Sequence, residues 1–489
     1  MLTLLEKNII IALQQIIQNT LRCEGSIMSQ LAQPSSPVLD IAPILDHGEW
    51  SSYQKRILFL VALVMVFDGV DAQVLSLSLS SISAEWGISR AAFAPVLGFS
   101  FVAMALGTAL GGLLGDRIGR KWTLIASSVT FGLMTLLGAL ADDIVFLGVC
   151  RVIASLGMGA AMPNVTAMLA EYTPLRRRSL ALAIGMSALP FGGIVVGLLG
   201  AQILPALGWR SFFVIAGCAP LIVALTLIIG VPESLRFLVA RGIKPAACLN
   251  IIRRLGHAVS LTTTLEDSGE AAAVKKASVR TLLASEYAGD TRVLAVAFFT
   301  VILSSYLMFT WSPSLFVEAG YSVSMSSASM ALFSLGGLIG GVGGGWLFSR
   351  FGSRKTMLCM AAGALACCAA LMVTPLQPAA NSLPIITVSL LLLGLCVPGT
   401  QAILFVLAAQ IFPTSMRASG VGLPAAFGRL GAVLSAFIGP WILASTGTRF
   451  FGFIAAMMLI LFVALTLVRR HIARTATQAR SDARLNQAR

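Results

Sequence analysis

Residues 112–121 read GLLGDRIGRK, and residues 345–355 read GWLFSRFGSRK. Each stretch carries the chain out of one long apolar run and into the next through a short cationic loop centred on glycine. A second echo pairs PLRRR at 174–178 with PTSMR at 413–417. The copies are offset by roughly 235–240 residues and come in the same order. Two matched echoes argue that the chain is a duplication. Parallel six-span repeats around a midplane site are a transporter architecture.

Composition agrees. Apolar residues make up 57% of the 489 and charged residues only 11%, and the mean hydropathy is +0.90. A soluble chain carries roughly 25% charged residues, so a soluble enzyme of this size would lack the charge to cover its surface. Disorder requires low hydrophobicity and is excluded as well. The class that remains is an all-α integral membrane protein. A net charge of +14 would suggest nucleic acid on a soluble domain, but these cations cluster in loops between apolar runs. That is the positive-inside pattern, and no nucleic-acid partner is expected. The eight cysteines form no C-x-x-C pair, and the three histidines, His47, His257 and His471, fall in loops. Neither a disulfide framework nor a metal site follows. With no phosphate-binding loop and no hydrolase motif, neither a cofactor nor enzymatic activity is expected.

Twelve apolar runs have spanning length: 57–79, 91–114, 122–140, 144–170, 180–204 and 211–231, then 292–317, 325–348, 356–375, 384–411, 418–442 and 448–469. The organisation read from them is a leader over 1–56, a six-helix half over 57–231, a linker over 232–291, a second half over 292–469 and a basic tail over 470–489. Residues 1–27 are read as an artefact of the start site, with Met28 as the alternative start. The linker is read as a tether. Lys55, Arg56, Arg117, Arg120, Lys121, Arg176–Arg178, Arg350, Arg354 and Lys355 share one side with the tail, so both termini are expected in the cytoplasm of a plasma-membrane (inner-membrane) protein.

The charges inside the spans carry the chemistry. Asp68 and Asp71 lie in the first run, in VFDGVDA at 66–72, and a spacing of three puts them on one helix face. A carboxylate at membrane depth marks an ion or proton path by default, so both are candidates for proton coupling; the bland alternative is an ion pair with an arginine of another span. Glu171 ends the fourth run opposite Gln410 of the repeat, and is read either as a third proton-coupling acid or as an interfacial charge. Arg151 and Arg429 are cations at membrane depth, and a guanidinium fork there needs an anion from the protein or from a substrate. Both are taken as substrate-binding candidates. Trp311 and Tyr306 flank the interruption at Pro313 and could stack on an aromatic ligand. Gln401 could offer a neutral hydrogen bond. In the signature loop, Asp116, Arg117 and Arg120 are gating candidates, since a carboxylate there can pair in one conformation and release in another; Ser349 stands at the position of Asp116 in the repeat.

These segments together resemble the major facilitator superfamily and, more narrowly, its aromatic acid:proton symporter family. The resemblance rests on Asp68-Gly-Val-Asp71, Trp86-Gly87, Gly115 to Lys121, GMGAAMPN at 157–164 with Glu171, PESLR at 232–236, and the stretch from Arg417 through GRLG at 428–431. It covers about 57–469. It implies the major facilitator fold, twelve transmembrane helices in two six-helix repeats in the lipid bilayer; a monomer is expected. It also implies functional charges at Asp68, Asp71, Arg151, Glu171, Arg417 and Arg429, with Arg417 joining the gating set. The expected partners are a small organic acid, aromatic in this family, and protons. Thr310 departs from the Asn that relatives often place before Trp311. The alternatives are a proton-driven exporter, a carrier of another metabolite such as a sugar (PES-x-R is shared with sugar carriers), and a membrane sensor that binds without net transport.

Overall fold

The computed structural model describes residues 38–242, 245–256, 264–266, 287–378, 382–412, 417–443 and 447–471. Residues 1–37 with Met28, much of the linker, and the tail beyond His471 lie outside the described residues. The first half contains α2 (Ser52–Trp86), α3 (Ala94–Ile118), α4 (Arg120–Gly138), α5 (Ile144–Glu171) and α6 (Leu175–Gly230), preceded by a short α1 (Ile41–His47). The linker contributes α7 (Leu235–Ala240) and α8 (Pro245–Arg254). The second half contains α9 (Ala288–Glu318), α10 (Val323–Phe351), α11 (Ser353–Val373), α12 (Leu383–Ile411), α13 (Arg417–Leu443) and α14 (Gly447–Leu467).

Among the described residues, ten helices are long and apolar enough to cross a membrane. One of them, α6, is two segments, because at Gly208 the backbone takes φ 77° and ψ 173° and the helix breaks. With that break and the 19-residue α4, the arrangement accommodates the twelve membrane helices expected from the sequence. Helices suit the bilayer because they satisfy every backbone polar group internally. Local chemistry sets their ends. Ser51 accepts from the Gln54 amide while Gln54 accepts from the Ser51 amide, a capping box at the start of α2. Asp143 caps α5 by accepting from Val145 and Phe146 at 2.8 and 2.9 Å. The echoed loops turn on matching glycines with left-handed φ, Gly119 at 102° and Gly352 at 86°.

Packing repeats along with the loops. In the first half α3 meets α5 so closely that a Cβ on Gly107 or Gly159 would stand within 2.1 Å of a carbonyl oxygen of the other helix. In the second half Gly336, Gly340 and Gly394 bring α10 and α12 together in the same way. Small residues are how membrane helices approach without a hydrophobic driving force between them. Large apolar side chains such as Phe59, Val145, Val342 and Trp441 point outward, as lipid-facing residues do. The halves meet along α3 with α13, α6 with α10, and α2 with α9.

The leader and the linker pack against each other. Ile41, Ile44 and Leu45 of α1 share a buried cluster with Leu235, Leu238, Cys248, Ile251 and Ile252 of α7 and α8. The strand β1 (Val38–Asp40) pairs in parallel with β2 (Thr264–Glu266), Leu39 opposite Leu265. Asp46 receives Arg178 at 2.5 Å and Arg236 at 3.3 Å. This three-residue ladder is the one exception to the all-α reading among the described residues.

Candidate functional site

Asp68 and Asp71 stand near the middle of α2, one turn apart, and their surroundings differ. Arg151 of α5 donates from Nη1 to both carboxylate oxygens of Asp71, at 3.1 and 3.3 Å, and from Nη2 to the Asp71 carbonyl at 3.0 Å. Thr135 of α4 donates its hydroxyl to the same carboxylate. The side chains of Asp71 and Arg151 are 0% and 4% exposed. Arg151 is thereby tied to protein rather than presented to a ligand in this conformation.

Asp68 is also buried, at 6% exposure. Among the described residues it has no hydrogen bond and no ion pair within 4 Å. The charged groups that act on it are Asp71 and, from the other half, Arg429. Arg429 is half-buried on α13. The polar contact its guanidinium makes among the described residues is a weak one, Nη2 to the Met162 sulfur at 4.0 Å. Tyr306 of α9 lies in the field of both Asp68 and Arg429. Its ring packs edge-to-face on Phe101 of α3, with centroids 4.9 Å apart. The two halves thus bring an acid, a cation, a tyrosine, a phenylalanine and a thioether to one place.

The remaining candidates sit elsewhere. Trp311 is fully buried, and its indole N–H donates to the Ser435 carbonyl at 3.1 Å. Gly439 of α13 makes room for the ring, since a Cβ there would stand 2.2 Å from Nε1. Trp311 therefore packs α9 against α13. Carbonyls beside the Pro313 interruption are also engaged, that of Pro313 by the Ser326 hydroxyl and that of Ser314 by Arg90. Gln401 is half-buried on α12 and makes no hydrogen bond among the described residues.

Glu171 belongs to a separate cluster at one end of the first half. Ser234 donates to Glu171, and Arg120 approaches Glu171 at 3.6 Å, Asp116 at 3.4 Å and Ser234 at 3.3 Å. Asp116 is largely exposed, and its carbonyl accepts from Arg241. Arg117 is exposed. The side chain of Arg417 lies outside the described residues. Reading the sequence missed Glu233, which accepts from the Lys121 amide at 3.0 Å and lies over Gly119. The available signal was the PESLR stretch itself. Thr135, Met162 and Phe101 were missed too, because nothing in an apolar run marks them.

At the Trp86–Arg90 end the halves are closed against each other. Arg90 pairs with Glu318 at 3.0 Å, Ser80 meets Ser314 at 3.5 Å, and Phe437 packs on Gly98. A cavity of about 500 Å³ remains there, lined in part by Ser80, Ser83, Arg90, Glu318 and Pro440.

The family model described as Major Facilitator Superfamily matches residues 61–381. The chain is 32% identical to the 4-hydroxybenzoate transporter PcaK of Pseudomonas putida, over 85% of this chain and 92% of that one. It is 33% identical to a gallate transporter of Pseudomonas putida, over 84% and 91%, and 26% identical to a benzoate transport protein of Acinetobacter baylyi, over 85% and 89%. Among solved structures it resembles the proton:xylose symporter XylE, with a TM-score of 0.61 at 19% identity, over 86% of this chain and 97% of that one. It also resembles an inward-facing bacterial homologue of the human lysosomal transporter Spinster, with a TM-score of 0.64 at 16% identity, over 86% and 96%. At such identities the structural likenesses concern the fold.

Proposed function

The chain belongs to the major facilitator superfamily, and we propose that it takes up an aromatic carboxylate together with a proton by alternating access. The observation that carries this reading is that Asp68 and Arg429 lie within electrostatic reach of each other while more than 4 Å apart. They come from opposite halves, each acts electrostatically on the same buried place, and neither has an ion pair within 4 Å among the described residues. Relatives named for 4-hydroxybenzoate, gallate and benzoate all handle a ring bearing a carboxylate, which supports the substrate class.

In the proposed cycle the guanidinium of Arg429 receives the substrate carboxylate, whose two oxygens suit its fork. The Tyr306–Phe101 pair and the Met162 thioether offer the ring soft, aromatic contact. Asp68 takes up the proton. With Asp68 neutral and Arg429 matched by the substrate, the place holds no uncompensated charge. Closing low-dielectric protein around an unmatched charge is unfavourable, so the loaded form crosses as above, the empty form crosses with Asp68 and Arg429 drawn together as a pair, and half-loaded forms do not cross. Asp71 and Arg151 remain a matched pair throughout, and Gln401 and Trp311 act from the periphery.

The closure at the Trp86–Arg90 end is read as closure on the outer side, so the site would open to the cytoplasm. The cationic loops then lie in the cytoplasm, as do both termini, with the protein in the plasma membrane as a monomer. Arg120, Glu171 and Ser234, with Asp116, Arg117 and Arg417, form the inner gate, and Glu171 serves that gate. The test is uptake of labelled benzoate and 4-hydroxybenzoate by cells under an imposed proton gradient, with and without an uncoupler. Uncoupler-sensitive accumulation that disappears in Asp68→Asn is expected. Failure to move either acid would overturn the substrate class, and accumulation indifferent to the uncoupler would overturn proton coupling.

A further inference from the structure

The cavity at the Trp86–Arg90 end joins two chemistries. Arg90, Glu318, Ser80 and Ser83 give it a polar wall, and Ile88, Pro440 and Leu443 an apolar one. Its volume of about 500 Å³ lies in the range of pockets that hold small ligands. It is separate from the Asp68–Arg429 place. Ser83 stands fifteen residues beyond Asp68 on α2, a rise of about 22 Å.

Both contacts of the Arg90 guanidinium among the described residues run through one nitrogen. Nη1 donates to the Glu318 carboxylate at 3.0 Å and to the Ser314 carbonyl at 3.2 Å. Nε and Nη2, the edge that can receive both oxygens of a carboxylate, donate to nothing among those residues. On the same wall Ser83 is 9% exposed, and its hydroxyl has no partner. Native proteins seldom leave a buried hydroxyl so. The neighbouring acid Glu85 is engaged elsewhere, by the Trp209 indole at 2.7 Å and by Arg210. Glu318 is thus the acid that competes for Arg90, and an exposed pair holds weakly. If Glu318 swings away, the Ser314 carbonyl still holds the guanidinium in place.

We propose that this cavity is a second binding site, for a small organic carboxylate, on the outer side of the closed seam. The free edge of Arg90 takes the carboxylate, the Ser83 hydroxyl is a further donor, and Ile88, Pro440 and Leu443 cover the apolar body. A cation in a cleft with low-dielectric walls raises the local concentration of anions, so the site collects the acid before the halves open. The ligand class rests on the transport reading above; the site rests on the cavity and on Arg90.

The experiment uses the full-length protein in detergent with Leu443→Cys on the cavity wall. It reads by peptide mass how fast a hydrophilic thiol reagent modifies that position as benzoate is added. Each variant is compared with its own rate without acid. Benzoate should slow the modification, half-maximally on the order of 1 mM for so open a site, and methyl benzoate, similar in shape but uncharged, should not. Protection should persist in Arg429→Ala, where the central site is disabled. Glu318→Gln removes the competitor and should lower the half-protecting concentration about threefold, whereas Arg90→Gln should abolish protection. If Arg90 served the latch alone, these two substitutions would act alike, and that result would overturn the site. Protection that vanishes in Arg429→Ala, equal protection by methyl benzoate, or no protection by benzoate would overturn it as well. Uptake of the acid without protection removes this site and leaves the transport reading standing; protection without uptake does the reverse.

Discussion

Arg151 holds Asp71 by its carboxylate and by its main-chain carbonyl at once, across 80 residues of sequence. One helical turn away, Asp68 has no such partner among the described residues. The two acids share a face of α2 in the sequence but differ in what faces them, and their substitutions should separate accordingly.

Asp71→Asn leaves the Arg151 charge buried with a neutral neighbour. Breaking a buried pair by removing one partner costs about 3–5 kcal/mol. A clear fall in the midpoint of thermal unfolding in detergent is expected, with less protein in the membrane. Adding Arg151→Met to Asp71→Asn removes the stranded charge and should recover much of the loss. A single Asp71→Asn variant that unfolds at the wild-type temperature would show that the pair does not hold α2 to α5.

Asp68→Asn removes a group with no ion pair to break, so the thermal midpoint should move little. Its effect belongs to coupling. Wild-type accumulation should rise as the outside is made more acidic, because the proton is then supplied on the uptake side. In Asp68→Asn the dependence on outside pH should flatten and accumulation should vanish, while exchange of labelled for unlabelled acid persists. Counterflow and net uptake measured in the same vesicles decide it. Loss of both together would point to a role for Asp68 in binding.

Much of this was legible in the sequence, and the reasons differ from residue to residue. The loops around Gly119 and Gly352 are readable because a left-handed turn between spans demands glycine in both copies. Asp68, Asp71, Arg151 and Arg429 are readable because charge inside an apolar run is costly and rare. Their pairing is not, since nothing in a span says which of two acids an arginine 80 positions away will meet. Trp311 looks like a pocket residue beside a proline. It packs instead because Gly439, distant in sequence, leaves an indole-sized space. The leader strand Val38–Asp40 pairs with Thr264–Glu266 over three residues, too short a stretch to leave a periodic signal.

Arg429→Lys keeps the charge and loses the fork. A point charge on a flexible stem grips a carboxylate less specifically than a guanidinium does. Apparent affinity for the acid should fall about tenfold with modest loss of maximal rate, whereas Arg429→Ala should abolish uptake. Protection against thermal unfolding by added substrate gives an independent reading, expected to be weakened in the lysine variant and absent in the alanine variant. Full protection of Arg429→Ala by the acid would place the carboxylate elsewhere.

Arg90 and Glu318 latch the two halves together at the Trp86–Arg90 end. These side chains are 26% and 50% exposed, and exposed pairs contribute only about 0–1 kcal/mol. Arg90 also donates to the Ser314 carbonyl at 3.2 Å, a contact that survives loss of the carboxylate charge. Glu318→Gln should therefore shift the balance toward the form open at this end by a few-fold, not abolish transport. Cysteines placed on the lining of the nearby cavity, at Ser83 and Leu443, should label faster with a membrane-impermeant thiol reagent in the Glu318→Gln background. High salt should produce a similar acceleration in the protein with Glu318 intact, because screening weakens an exposed pair. Labelling that ignores both the substitution and the salt would mean that the apolar seam, where Phe437 packs on Gly98, closes this end by itself.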